Sequence, residues 1–430
     1  MPSRYTFSGE QTVVVALLIA FSVMSYFDRT IMSIAGPQIM QEFALSATQM
    51  GSVYSAFTLS YAVMMIPAGR LTDRLGPRLT LLVMGLSAAL FTGLTALGGE
   101  PGLGSILGVL PALLAIRLAF GIGTAPLYPA CAKMSAHWIP IAHQGRVQGL
   151  IIAGSSIGGA VSPILFSSLI SLYRWRISFG IAALATAALT LLWFWSVRDY
   201  PAGVPREASS SVTRPVRLPA DWLRLVLNRN LALLTLAYFT TGYFQYIFYY
   251  WIYYYFGQVR RAGFSQSARY TTIVFVTQGV MMPLGGWLSD RLTRSYGARF
   301  GRRAVPLAGL SAGGVLLFAG TIASGTAGAV LSLSLATGFV SWCEGPFWAA
   351  AIEVAGEQVG AAAGMLNTGG NLGGFFAPIV TPYVASRLGW SWGLYAGSLM
   401  AIIGMIACYL VDPTAHETTV RTTAANAAIE

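Results

Sequence analysis

Gly69-Arg70-Leu71-Thr72-Asp73-Arg74-Leu75-Gly76-Pro77-Arg78 lies between two apolar runs, and its reading decides the fold. A degenerate copy, Leu288-Ser289-Asp290-Arg291-Leu292, recurs at an offset of 217 (73 to 290). A second pair is spaced almost identically. Gly158-Gly159-Ala160-Val161-Ser162-Pro163 matches Gly373-Gly374-Phe375-Phe376-Ala377-Pro378 at an offset of 215 (163 to 378), and Trp175 maps onto Trp390 at the same offset. Two matches at nearly one spacing indicate a duplicated unit.

Composition supplies the medium. Of 430 residues, 55% are hydrophobic and 10% charged, and the mean hydropathy is +0.63. A soluble chain of that make-up would aggregate, so the expectation is a polytopic membrane protein. A window of about 20 apolar residues per span finds twelve segments, at 12–36, 48–70, 79–98, 106–132, 145–172, 177–197, 230–256, 267–289, 303–323, 327–351, 359–386 and 391–411. The fold expected is all-α, with two pseudo-symmetric six-helix bundles at 1–197 and 230–412, a Pro- and Ser-rich cytoplasmic linker at 198–229, and a tail at 413–430. The first segment is expected to be a retained helix and not a cleaved signal peptide.

The net charge of +11 does not point to nucleic acid, because the arginines sit in short clusters between apolar runs. Most of the 26 Lys+Arg fall on alternate connections, which puts both termini in the cytoplasm; the expected location is a bacterial inner membrane. Cys131, Cys343 and Cys408 lie in or at the ends of apolar segments without metal or disulfide spacing, so packing roles are expected. His137, His143 and His416 fall in loops or the tail, which leaves carboxylates to carry any proton coupling.

The loop at 69–78, its copy, the twelve segments and the linker together resemble the major facilitator superfamily over nearly the whole chain. A narrower likeness, to the anion:cation symporter branch, rests on Tyr26-Phe27-Asp28-Arg29, on Ser55-Ala56-Phe57 with Tyr61 and Pro67-Ala68-Gly69, and on Arg117 with Gly121, Ala125-Pro126 and Pro129. The resemblance implies that Arg29 binds a substrate carboxylate, that Tyr26 and Tyr61 line the site, and that Asp28 and Arg117 act in proton coupling. In the fourth segment the branch's sugar-acid symporters usually carry Glu before Ala-Pro; here that position is Thr124, whose hydroxyl cannot cycle a proton at physiological pH. Coupling then rests on Asp28 alone, passes to another carboxylate, or is absent.

The residues support the same assignments by their own chemistry. Ionisable side chains at mid-membrane depth are costly and mark functional sites. Asp28 and Arg29 point about 100° apart on a helix, so each needs its own partner. An Asp28–Arg117 pair is expected, leaving Arg29 free for an anion; the alternative is a static charge network that fixes packing. Glu344, in Trp342-Cys343-Glu344-Gly345-Pro346-Phe347-Trp348, is the replacement carboxylate, or else a structural Glu bonded to a neighbouring helix. Trp348 is expected on the substrate side with it.

Tyr243, Tyr246, Tyr249, Tyr250, Tyr253, Tyr254 and Tyr255 surround the seventh segment, so some are expected in a lipid-interface belt. Tyr246, Tyr249 and Tyr250 are the expected substrate-facing subset. Asn371 lies four residues after Asn367 in a glycine-rich segment suited to close packing, and the resemblance implies that an Asn in this region helps bind substrate; the alternative is a packing role. Asp73 with Arg74, and Asp290 with Arg291, are expected to act as cytoplasmic gate latches, and Glu353 and Glu357 as solvated or gate contacts. No cofactor beyond the proton gradient is implied. The expected partners are a small organic anion, protons and the bilayer, and the chain is expected to work as a monomer. The expected function is import of that anion, a carboxylate of the sugar-acid kind, by proton symport with alternating access. Rivals are a proton-coupled exporter or exchanger of amphiphilic compounds, and a transporter-like ligand sensor.

Overall fold

The computed structural model describes residues 7–99, 102–201, 228–355 and 359–412. The sequence-based readings for most of the linker (202–227), the tail (413–430), Glu357 and His416 lie outside the described residues. The chain divides into two compact units, Met1–Arg214 and Pro215–Glu430.

The first unit holds α1 (Gly9–Glu42), α2 (Ala47–Leu75), α3 (Pro77–Thr95), the short α4 (Leu103–Leu107), α5 (Val109–Thr124), α6 (Leu127–Trp138) and α7 (Ile141–Ser196). Ser8 and Ser46 start α1 and α2 by the same device. Each hydroxyl accepts from a backbone N–H three residues on, and the Gln11 or Gln49 side chain accepts in return from the serine N–H.

The second unit holds α8 (Arg229–Tyr254), continued by a wide π turn over Tyr255–Val259, then α9 (Phe264–Tyr296), α10 (Ala298–Ile322), α11 (Thr326–Val340), a tight 3₁₀ turn at Ser341–Cys343, α12 (Glu344–Ala355), α13 (Val359–Leu388) and α14 (Trp390–Leu410). No strand occurs among the described residues.

Among the described residues nine helical stretches are long and apolar enough to cross a membrane, fewer than the twelve expected. Two physical causes account for the difference. The stretch Arg146–Ser196 covers two expected segments, because α7 runs on through a break at Arg174 (φ 63, ψ 160). Helices α2 and α13 have the length, but their Ser, Thr, Asn and Gly content dilutes their apolarity. The outer faces carry exposed Val63, Ile66, Leu184, Val315 and Leu331, a surface suited to lipid and not to water.

The duplication is visible in the packing. In the first unit α1 lies most extensively on α7, and in the second α8 on α13. A methyl group added at Gly154 or Gly158 would press on the carbonyls of Ile19 and Val23 of α1; one added at Gly369 or Gly373 would press on those of Thr235 and Phe239 of α8. The glycines are offset by 215 (158 to 373) and the carbonyls by 216 (23 to 239), so the same close crossing is built twice.

The loops repeat too. Gly76 turns α2 into α3 at φ +80, and Gly297 turns α9 into α10 at φ +86. In the copy, Thr293–Tyr296 lengthen α9 by four residues, close to one helical turn, before its glycine is reached.

Arg174 and Gly389 occupy the same corner at an offset of 215, and Gly389 has φ +95. Only the first unit puts a side chain in that left-handed backbone, at a cost on the order of 1–3 kcal/mol. Arg174→Gly is therefore expected to raise the thermal unfolding temperature of the purified protein; a lower one would remove the strain from this account.

Candidate functional site

In the first unit, α1 and α2 each present two aromatic or charged side chains on one face: Tyr26 and Arg29 three apart, Phe57 and Tyr61 four apart. They meet. The Arg29 guanidinium lies 4.8 Å from the Tyr26 ring centre, 4.6 Å from Phe57 and 4.9 Å from Tyr61, and the residue is only 8% exposed. Each such contact contributes on the order of 0.5–2 kcal/mol when desolvated. The aromatic faces balance the charge in part while leaving it able to attract an anion.

Arg117 on α5, 1% exposed, stands 5.2 Å from the other side of the cluster at Phe57 and 4.7 Å from Phe120. Phe57 is thus shared by two guanidinium groups. Gly121 makes this possible, since any side chain there would overlap Ser60 and the Phe57 carbonyl and push α5 off α2.

Asp28 is 1% exposed, and its Oδ2 accepts a hydrogen bond of 2.8 Å from the Thr186 hydroxyl on α7. Its Oδ1 has no hydrogen-bond partner among the described residues. The Arg117 charge acts on this carboxyl, but the direct contact is Thr186, which sequence reasoning missed. A buried Thr carries no outward signal of such a role, whereas Phe57 and Phe120 were discoverable from their spacing to Tyr61 and Arg117. Thr124 uses its hydroxyl within α5, donating to the Phe120 carbonyl at 2.8 Å.

The second unit answers with a different cluster. Pro346 cannot donate to a preceding carbonyl. The helical path accordingly tightens into a 3₁₀ turn over Ser341–Cys343 and returns to regular helix at Glu344. The loosening expected around Gly345-Pro346 thus falls just before Glu344. The Glu344 Oε2 accepts from the Tyr238 hydroxyl at 2.8 Å and Oε1 from the Gln245 amide at 3.1 Å. The Trp348 indole N–H donates to the same Tyr238 oxygen at 3.2 Å. Glu344 and Trp348 are brought together as expected, with Tyr238 and Gln245 as unforeseen partners. By the 216 offset, Gln245 stands where Arg29 stands in the first unit and Phe244 where Asp28 does.

The tyrosines of α8 depart from expectation. Tyr243, Tyr250, Tyr253 and Tyr255 are buried, Tyr246, Tyr249 and Tyr254 half-buried, and none forms an exposed belt. The cause is that α8 is an inner helix, flanked by α13 and α14 and approached closely through Gly370 and Gly374, the latter against the Tyr246 ring. Tyr246 packs 5.6 Å from Tyr249 and 5.8 Å from Tyr250, and Tyr249 stacks on Phe275 at 5.2 Å. Asn371 is buried and donates to the Asn367 carbonyl and side-chain oxygens at 2.9 and 3.2 Å.

Each expected latch carboxylate also has a partner inside its own unit. Asp73 pairs with Lys133 (3.1 Å), which also donates to the Thr72 and Asp73 carbonyls at the end of α2. Asp290 pairs with Arg302 (2.6 Å), which simultaneously binds Glu353 at 2.9 Å. Adjacent Arg74 and Arg291 point away on their helices and are exposed, Arg291 lying over Trp287.

The profile of the Major Facilitator Superfamily matches residues 18–296 and 270–429. The chain is 30% identical over 418 residues to the hexuronate transporter of Bacillus subtilis, spanning 95% of this chain and 96% of that one. It is 28% identical over 404 residues to a probable sulfoacetate transporter of Cupriavidus necator, with 91% of each covered, and 25% identical over 384 residues to a probable L-galactonate transporter of Escherichia coli, covering 87% of this chain and 83% of that one. Among solved structures, a bacterial homologue of the human lysosomal transporter Spinster shares the fold with a TM-score of 0.78 at 16% identity, covering 94% of this chain and 98% of that one. Profile, relatives and fold agree: the chain belongs to the Major Facilitator Superfamily, and is a multi-pass membrane transporter and not an enzyme.

Proposed function

We propose that the protein imports a small organic anion carrying a carboxylate, of the sugar-acid kind, by proton symport with alternating access. The observation that carries this reading is the Arg29 guanidinium, held by three aromatic rings and nearly shielded from water. A planar fork in a low-dielectric setting suits bidentate binding of a carboxylate. The names of the relatives, a hexuronate transporter and probable L-galactonate and sulfoacetate transporters, support an acidic substrate. Tyr26 and Tyr61 orient it; within the second unit, Tyr246, Tyr249, Tyr250, Trp348 and Asn371 are the proposed substrate contacts.

Net entry of an anion against a negative-inside potential needs co-transported positive charge, which favours symport. Asp28 and Glu344 are the carboxyls that carry the proton. At Glu344 the hydrogen bonds dictate what protonation requires. With Trp348 donating to the Tyr238 oxygen, the Tyr238 proton stays directed at Glu344. The Gln245 amide is the partner able to turn over and present its oxygen as an acceptor. Proton loading of Glu344 is thereby linked to a flip of Gln245.

The arginine bias supports cytoplasmic termini, and we propose a bacterial inner membrane as the location and a monomer as the working unit. The Lys133–Asp73 and Arg302–Asp290 pairs are the proposed latches. In reconstituted vesicles, an imposed inward proton gradient should drive glucuronate, galactonate or sulfoacetate above its equilibrium distribution; simple equilibration of each would overturn symport. Glu344→Gln is expected to lower substrate-driven proton influx at least tenfold, read with a trapped pH dye. Unchanged influx would leave coupling to Asp28.

A further inference from the structure

Away from Arg29 and Glu344, the far end of α1 and the break in α7 enclose a cavity of about 630 Å³. Its polar lining includes Gln38, Gln41, Arg174 and Arg176, and its apolar lining Ile170 and Ile177. The acid present, Glu42, is already satisfied: Arg176 binds it at 2.6 Å and the Trp175 indole donates to its other oxygen at 2.7 Å. Arg174 is exposed, and among the described residues its guanidinium has no hydrogen bond and no ion pair within 4 Å. Arg174 and Arg176 both act on the single Glu42 carboxylate, two cations against one anion, so the corner carries a net positive charge. The helical segment restarting at Trp175 adds the partial positive charge of its N-terminus.

The internal copy sharpens the point. At the matching corner the second unit has Gly389, for which a left-handed backbone is free of strain, whereas the first keeps an arginine at φ 63. Strain retained where the duplicate has relaxed it marks a side chain with a task. The surroundings indicate the kind of ligand. Ile177 is 57% exposed, Leu172 72% and Tyr173 48%, so the charged corner opens beside an apolar outer face. A basic pocket between helices next to such a face fits an anionic amphiphile better than a small hydrophilic ion.

We propose that this corner binds the phosphate of a membrane phospholipid, with Arg174 pairing the phosphate, Gln38 and Gln41 donating to its oxygens, and an acyl chain lying along Ile177 and Leu172. The test uses the full chain in phosphatidylcholine nanodiscs, unfolded thermally with and without added phosphatidylglycerol, and separately with inorganic phosphate. Phosphatidylglycerol should raise the unfolding temperature of the wild type by several degrees. The rise should vanish in Arg174→Gln, which keeps the strained backbone, and in Arg174→Gly, which starts from a more stable baseline. An equal rise in all three proteins would overturn the site. A rise with inorganic phosphate equal to that with lipid would overturn the lipid assignment.

Discussion

Arg29→Lys should abolish measurable uptake of hexuronate, galactonate or sulfoacetate while leaving the protein folded. Lysine keeps the charge but loses the flat, delocalised surface that lies against Tyr26, Phe57 and Tyr61 at 4.6 to 4.9 Å. It also loses the fork that grips a carboxylate by two bonds. A charge-assisted hydrogen bond contributes roughly 1.5–3 kcal/mol, so loss of one of the pair weakens binding roughly ten- to more than a hundredfold, and misplacement of the remaining ammonium adds to that. Uptake by the variant at the wild-type rate, in vesicles containing equal amounts of protein, would end the assignment of Arg29 as the anion ligand. Thermal unfolding of the same preparation separates a binding defect from a folding defect.

Gly158→Ala is the second large effect. The added methyl would overlap the Val23 carbonyl oxygen and come within 3.2 Å of the Phe27 backbone nitrogen, and neither is the tip of a flexible side chain. Helices α1 and α7 must separate. Overpacking of this kind costs on the order of 1–3 kcal/mol or more, and the separation would pull Asp28 away from Thr186, so stability and transport should fall together. Gly373→Ala should do the same in the second unit, where the Phe239 carbonyl and the Tyr243 nitrogen stand in the way. Gly180→Ala and Gly364→Ala, with nothing within 4 Å of the added carbon, should be neutral or slightly stabilising, because alanine costs less chain entropy than glycine in a helix. Equal behaviour of all four variants in thermal unfolding would show that the crossing is looser than its geometry implies.

The fold was legible in the sequence because its strongest signals are local and repeated: the loop at 69–78 and its copy, and the paired Gly-Gly-to-Pro stretches. The Tyr26–Arg29 face was legible because helical spacing alone puts the two side chains together. Thr186 was not, since it reaches Asp28 through tertiary packing of α7 on α1 and no spacing rule connects residues 158 apart. Lys133 and Arg302 were not legible either, since they reach Asp73 and Asp290 through the packing of helices and no helical spacing links them. The tyrosines of α8 misled for a related reason. A helix aromatic on all sides suits an interfacial belt, but it equally suits a helix enclosed by glycine-bearing neighbours, and the glycines of α13 that decide between the two lie more than 100 residues away.

One position separates the two halves chemically: residue 29 is a permanent cation, while its duplicate, Gln245, is a neutral amide that can point either way. A gene fused to its own copy can revise selectivity at one of these positions and energy coupling at the other without disturbing the crossings both depend on. Relatives that carry an acidic cargo but draw on a different driving ion would then be expected to differ around Gln245 and Glu344 sooner than around Arg29.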